Sequence, residues 1–337
     1  MNTVDLRKAN LRIVSLIPSA TEIVAALGYA DCLVGRSHEC DFPTSVKSLP
    51  VCTEPKFDPV GSSGQIHKRV SELLSSALSV YSVNVEVLRD LRPTHIITQA
   101  QCEVCAVSLS EVEQAVNNLF EDNWLEDNLL EKSEGEVEEA IAEDTIEIVS
   151  LQPERLADVW SDILRVARAI DNSTESVAKA QRLVESLQAK LPLVECAADE
   201  RQISVVCIEW TEPLMAAGNW VPELVRLAGG RACFGKAGKH SGWISWEDLL
   251  AADPEKIVVM PCGYDLAQTR RATEEMSNCD EWKRLSAVKT GQVYLVDGNQ
   301  YFNRPGPRLV ESGEILTEII QERAANNNRE SVGWEVF

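Results

Sequence analysis

Short runs of β-branched and other apolar residues alternate along this chain with longer stretches whose apolar positions recur at helical spacing. That alternation is the signature of βα units feeding a mostly parallel sheet. In the first half it predicts strands at 12–17, 32–36, 95–99 and 146–151, and in the second half at 202–209, 256–260 and 292–296. Each half therefore holds a sheet of its own. Between them Leu156, Val159, Trp160, Ile163, Leu164, Val166, Ala167 and Ile170, then Val177, Ala180, Leu183, Val184 and Leu187, keep the helical period. Asp171-Asn172-Ser173 interrupts it and can cap a second helix, so the connector over 153–191 is one long helix or a pair.

A helical connector holds two lobes at a nearly fixed angle and limits hinge motion. The expected fold is α/β, with two Rossmann-like lobes at 12–152 and 192–325, central mostly parallel sheets, a stiff helical connector and a tail at 326–337. The length of 337 residues, about twice a usual domain, agrees with two cores. No internal sequence repeat stands out.

Charge removes some functions. With 32 Lys and Arg against 53 Asp and Glu, a formal −21, the chain lacks the basic footprint that nucleic-acid binding needs. No apolar run approaches the roughly 18 residues that cross a bilayer, so a membrane-spanning protein is not expected. The segment 121–144 carries eleven Asp and Glu and a single Lys. It reads as a solvated acidic insertion, with a docking surface for a basic partner as the sharper alternative. No apolar leader segment is seen before the first strand, so the expected location is the cytoplasm, with the ten cysteines free, metal-bound or redox-active rather than paired, and a periplasmic one only for a chain whose leader had been removed.

The candidate sites follow strand ends, where open α/β sheets keep their ligands. Ser19 and Glu22 in Leu16-Ile17-Pro18-Ser19-Ala20-Thr21-Glu22 have capping-box spacing, opening a helix over 21–27 and leaving Ser19 and Thr21 at a helix N-terminus. Cys40 follows the second strand beside His38, Cys102 and Cys105 follow the third, and Cys262 follows the strand ending at Met260; Cys52 is a further candidate. His38, Cys40, Cys102 and Cys105 could bind zinc or iron, although the second Cys-x-x-Cys of a firm metal signature is missing. Buried apolar thiols are the alternative.

Aromatic residues gather after the strands of the second half: Trp210, Trp220, Trp243, Trp246, Tyr264, Tyr301 and Phe302, several beside Gly or Pro. Large flat side chains suit a large, planar, partly apolar ligand, with Asn219, Asn303 and Arg304 available to its polar groups. No Gly-x-Gly-x-x-Gly follows the first strand, and neither a Walker pattern nor a Gly-x-Ser-x-Gly elbow is present. His67, His95 and His240 have no nucleophile beside them in sequence, so no catalytic residue is assigned and a non-catalytic role is favoured.

The run Arg12-Ile13-Val14-Ser15-Leu16-Ile17-Pro18-Ser19-Ala20-Thr21-Glu22, the segment Val85-Glu86-Val87-Leu88-Arg89-Asp90-Leu91-Arg92-Pro93, the pair Gly229-Gly230, the run Ser245-Trp246-Glu247-Asp248-Leu249-Leu250-Ala251-Ala252-Asp253-Pro254 and the pair Pro307-Arg308 resemble, in this order, the helical-backbone class of ABC-importer substrate-binding proteins. Within that class the chain is most similar to the cobalamin-binding branch, as a cysteine-rich subgroup with insertions at 58–84 and 121–144. The resemblance implies a periplasmic-binding-protein-like fold and a small-molecule ligand, cobalamin or a related corrinoid or metal chelate, held between the lobes. It also implies an ABC permease as partner, docked through one surface glutamate per lobe, here Glu86 and Glu247. The resulting expectation is a binding protein, an intracellular carrier or sensor, with Ser19, Thr21, Trp210, Trp220, Trp243, Tyr264 and Phe302 around the ligand. The alternative is a metal-dependent protein or enzyme built on the His and Cys loops.

Overall fold

A computed structural model describes residues 10–76, 79–100, 107–121, 145–194, 201–322 and 332–337. Its strands are β1 (Ile13–Ser15), β2 (Leu33–Arg36), β3 (Thr53–Pro55), β4 (Tyr81–Val83), β5 (His95–Gln99), β6 (Glu147–Leu151), β7 (Ile203–Thr211), β8 (Leu214–Ala216), β9 (Gly230–Ala232), β10 (Gly242–Trp243), β11 (Lys256–Val259), β12 (Val293–Val296) and β13 (Trp334–Val336). Every strand expected from the apolar runs is present, within two residues at each end. The short β3, β4, β8, β9, β10 and β13 were not legible, because two or three residues cannot establish a period of two.

The chain divides into two compact units. The first comprises Met1–Pro59, Arg69–Gln152 and Ser161–Leu183, and the second Val60–Lys68, Pro153–Trp160 and Val184–Phe337. The division runs through the helices Ser63–Ser75, Leu156–Ile170 and Thr174–Lys190. The last two occupy the stretch 153–191, where the helical period is realised as a pair of helices. The break is made by Asp171, which accepts from the Ser173 N–H at 3.0 Å, and by Ser173, whose Oγ accepts from the Ser176 N–H at 3.2 Å and caps the second helix.

In the first unit the parallel sheet has the order β2-β1-β5-β6. Val14, Leu16 and Ile96 on one face pack with Leu88, Val112, Val116 and Leu119 of the helices Val85–Leu91 and Leu109–Glu121. In the second unit β9-β7-β11-β12 form a parallel core of the same order. There β8 and β10 extend one side and β13 the other, all antiparallel. The strand β7 is long enough to share one edge, pairing with β9 through Ile203–Val205 and with β8 from Ile208 onward. In both units the first strand has its second-strand neighbour on one side and its third on the other. The order reverses at β1 and at β7, and the crevice for a ligand in such a sheet lies beyond the carboxyl ends of those strands.

A short repeat emerges here, with Glu, Leu and Pro identical in its two copies. The helix before β5 is opened by Asn84, carries Glu86 and buried Leu88, and closes at Arg92 in the left-handed region (φ 46°) before Pro93. The helix Trp246–Ala252 before β11 is opened by Ser245, carries Glu247 and buried Leu249, and closes at Asp253 (φ 36°) before Pro254. The spacing of all five positions is the same in both.

One expectation needs correcting. The first helix is Pro18–Ala26, and its N-cap is Ile17 without a side-chain cap bond. Pro18 presets the backbone for the first helical position, so the helix starts ahead of Ser19. Ser19 is then a residue of the first turn rather than the cap, and Glu22 lies buried within the helix.

Candidate functional site

Beyond the carboxyl ends of β1 and β2 the first unit places small hydroxyls and thiols. The Thr21 hydroxyl lies 2.8 Å from Ser15 Oγ and 3.0 Å from Cys40 Sγ, and Ser15 Oγ donates to the Ile17 carbonyl at 3.0 Å. Ser15, Ser19, Thr21 and Cys40 are all buried. The loop bearing Cys40 is gathered by Arg36, whose Nη1 donates to the carbonyls of Ser37, His38 and Cys40 at 3.0, 3.4 and 3.3 Å. Sequence reading missed this organising role; an arginine ending a strand just before a polar turn is the only hint of it.

His38 Nδ1 sits 2.8 Å from Thr53 Oγ1, and its ring lies 5.2 Å from that of Tyr81. Burial, with the Arg36 guanidinium nearby, lowers the His38 pKa and favours the neutral ring. Burial pushes the Cys52 thiol up to about 12, leaving a protonated apolar group. Of the four residues expected to hold a metal, Cys102 and Cys105 lie outside the described residues. His38 and Cys40 engage threonine hydroxyls, and among the described residues no three His, Cys, Asp or Glu side chains gather as a metal-binding group. The acidic segment from 122 to 144 is likewise outside them.

The second unit carries the aromatic residues. Trp210, at the end of β7, lies with its ring 5.4 Å from that of Tyr264 and tilted by 58°, and its Nε1–H donates to the Glu212 carbonyl at 2.9 Å. Tyr264 follows β11 through a turn in which Gly263 adopts φ 76°, a conformation that glycine enters without strain. Burial raises the Tyr264 pKa, so its phenol stays neutral. Trp243 on β10 is 58% exposed, with the imidazole of His67 edge-on at 5.2 Å. His67 belongs to the stretch 60–68, whose Ser63 also meets Thr211 at 2.7 Å between hydroxyl oxygens.

Trp220 and Phe302 are buried, at 6% and 1% exposure, and Trp220 Nε1–H donates to the Phe302 carbonyl at 3.0 Å. They brace the loops from beneath. Asn303 Nδ2 holds the loop after β12 against β11, donating to the carbonyls of Gly298 and Met260 at 2.8 and 3.4 Å. Of the expected ligand contacts, Trp243 is open and Trp210 half-buried, whereas Ser19, Thr21, Trp220, Tyr264 and Phe302 are buried. Glu86 and Glu247 are both exposed, in the first turns of the two matching helices.

The arrangement offers flat apolar surface beside fixed loops. Comparison with known proteins agrees with that architecture. Over 326 residues the chain is 24% identical to an uncharacterized ABC transporter substrate-binding lipoprotein, YvrC, of Bacillus subtilis, covering 94% of this chain and 82% of that protein. Over 321 residues it is 22% identical to a vitamin B12-binding protein of Vibrio vulnificus, covering 94% and 92% respectively. Its fold is similar to that of the periplasmic heme-binding protein RhuT from Roseiflexus sp. RS-1, with TM-score 0.60 at 18% identity, covering 93% of this chain and 99% of that one. A lipoprotein and a periplasmic protein among these relatives stand against the cytoplasmic expectation. No described helix is long and apolar enough to cross a membrane. A family model described as periplasmic binding protein matches residues 127–299, just over half of the sequence, and the chain belongs to that family.

Proposed function

We propose that this protein is the substrate-binding component of an ABC importer and that its ligand is a planar metal chelate of the corrinoid type. The observation that carries the ligand class is the aromatic group at the switch point of the second unit: Trp210 against Tyr264, with Trp243 exposed and Trp220 and Phe302 bracing the loops beneath. Broad rings that keep a fixed geometry bind a flat macrocycle at small cost in side-chain entropy. The relatives named for vitamin B12 and heme support a large ring chelate rather than a sugar or an amino acid.

Glu86 and Glu247 are the proposed docking residues toward the permease. Each projects from a short, firmly capped helix at the same place in its unit. Exposed carboxylates of this kind mainly steer and orient association. The relatives' names, a lipoprotein and a periplasmic protein, favour a chain that works outside the cytosol.

The test is titration with cyanocobalamin and with iron protoporphyrin while tryptophan emission is recorded. Quenching that saturates, and that weakens about tenfold or more in Trp243→Ala, supports the reading, since a central aromatic anchor contributes on the order of 1–3 kcal/mol. Absence of quenching and of heat release with both compounds at about 50 μM, an affinity limit near −6 kcal/mol, would sink it.

A further inference from the structure

The chain is strongly acidic, yet from Leu224 to Trp246 it contains no Asp or Glu, while Arg226, Arg231, Lys236, Lys239 and His240 fall in that stretch. Its central part, the loop 233–241, leaves the carboxyl end of β9. Because β9 runs parallel to β7, this is the same end of the sheet at which Trp210 and Tyr264 lie.

The loop is held tightly. The Asn219 N–H donates to the Lys239 carbonyl at 2.7 Å, the Gly238 N–H donates to the Asn219 carbonyl at 3.1 Å, and the Gly218 N–H donates to Ser241 Oγ at 3.0 Å. A Cβ at Gly218 would run into the Lys239 carbonyl, so only glycine permits this approach. Ser241 Oγ in turn donates to Glu209 Oε2 at 2.8 Å, engaging a carboxylate at the end of β7. Trp243 follows two residues later.

On that fixed backbone the side chains of Lys236, Lys239 and His240 are exposed. Arg155, also exposed, packs against Gly238, where a Cβ would meet its guanidinium. Two nearby carboxylates are engaged elsewhere: Asp158 Oδ2 accepts from the N–H groups of Glu154 and Arg155 at 3.1 and 2.8 Å, and Glu223 Oε2 accepts from the Leu156 N–H at 3.0 Å. Among the described residues no carboxylate forms an ion pair with Lys236 or Lys239. Three cationic or protonatable side chains thus sit on one preorganised loop just ahead of an open indole in the chain, with Arg155 packed against that loop, in a protein whose overall charge is negative.

We infer that the ligand carries carboxylate groups at its rim and that Lys236, Lys239, His240 and Arg155 bind them. This rests on the proposed function and narrows it, from planar chelates in general to those with acidic side arms. Because Trp243 lies three residues beyond His240, a macrocycle stacked on it would have the 236–240 loop close by in the chain. A carboxylate there adds the attraction of opposite charges to its hydrogen bonds from ammonium and guanidinium groups, whereas a neutral amide in the same place accepts such bonds without forming an ion pair. The basic loop also offsets the repulsion that an anionic ligand meets from the rest of the protein.

The experiment uses two corrinoids that differ in their side arms: dicyanocobyrinic acid, with carboxylates, and dicyanocobinamide, with amides. Affinities are measured by calorimetry on the full chain at low and at raised salt. The carboxylate probe should bind the more tightly, and its advantage should shrink with salt. In Lys236→Gln/Lys239→Gln that preference should fall by about tenfold, the order expected for two partly solvated charge pairs. Lys283→Gln/Lys289→Gln controls for loss of positive charge elsewhere, and thermal melts confirm that each variant is folded. Equal affinity for both probes, or a preference that both double variants reduce alike, overturns the inference while leaving the proposed function standing. Failure of both probes to bind overturns the inference together with the proposal that the chain binds a corrinoid.

Discussion

The two units build one scaffold and furnish it with different chemistry. Both have a first strand flanked by the second and third, in β2-β1-β5-β6 and β9-β7-β11-β12, and both place an N-capped helix with an exposed glutamate before the third strand. At the strand ends the likeness stops. The first unit fills that region with Ser15, Ser19, Thr21 and Cys40, small groups that are all buried. The second brings Trp210, Tyr264 and Trp243 together with the basic loop of Lys236, Lys239 and His240. Fold and site are therefore separable: strand order fixes where a ligand can sit, and loop residues fix what it can be.

If the helices before β5 and β11 are true counterparts, removing the anchor of each should have the same consequence. Leu88 and Leu249 are both fully buried, the first among Val14, Ile96 and Val116 and the second among Ile257, Trp282 and Leu295. Leu88→Ala and Leu249→Ala should each destabilise the protein by about 2–5 kcal/mol, through lost burial and the cavity left behind. Urea unfolding followed by circular dichroism measures both. A loss below about 1 kcal/mol for either variant would show that its site collapses freely and would break the equivalence.

That equivalence shows how legibility depends on the kind of signal. The long parallel strands could be read because runs such as Ile203–Thr211 and His95–Gln99 combine β-branched residues with clear ends. The matching helices were read only through their resemblance to a family, not as a repeat. They share a cap, a glutamate, a leucine and a left-handed closing residue before proline, but few identities. Asn84 and Ser245 do the same work with different atoms, as do Arg92 and Asp253.

In the site, the aromatic cluster was anticipated by type and place. Which members are open was not, because Trp243 and Trp220 differ only in what the loops around them do. The role of 60–68, which brings His67 to Trp243 and Ser63 to Thr211, depends on contacts across more than a hundred residues of sequence and left no local trace. The capping box assigned to Ser19 shows the opposite failure, a local pattern overruled by the proline before it.

A smaller effect separates the two caps. Asn84 accepts one bond, from the Val87 N–H at 3.0 Å. Ser245 accepts from the Asp248 N–H at 3.0 Å, and the Asp248 carboxylate returns to the Ser245 N–H at 3.2 Å, a complete capping box. Asn84→Ala should cost about 1 kcal/mol, and Ser245→Ala nearer the upper end of the range for caps, about 2 kcal/mol. The extra cost comes from the bond that the Ser245 hydroxyl also donates to the Asp248 carboxylate at 2.6 Å, and equal costs would mean that this bond adds nothing. Thermal melts of the two variants resolve the difference.

The smallest effect lies at the closing residues, where the units carry opposite charges. Asp253 accepts from the Ser286 N–H and hydroxyl at 2.8 and 2.6 Å, and these bonds hold its carboxyl below the ordinary value of 3.8. A carboxylate whose pKa is lowered on folding contributes its full stability above the unfolded value and loses it as the pH falls through the folded one. The contribution of Asp253 should therefore be complete near neutrality and fade below 3.8. Because the group is solvent-screened, its size should stay below about 1 kcal/mol. Asp253→Asn preserves shape and tolerates the left-handed backbone, so it isolates the charge. The variant should be slightly less stable than the parent at about pH 6, and the gap should narrow progressively as the pH falls below 3.8 toward the lowered folded value. Arg92→Asn, at the matching position of the first unit, removes no carboxylate and eases the backbone at φ 46°, so it should leave stability equal or slightly raised, with no step of its own in the acid range. A loss on Arg92→Asn as large as that on Asp253→Asn would mean that the guanidinium, too, holds a structural contact, and that the two closing residues differ in sign but not in weight.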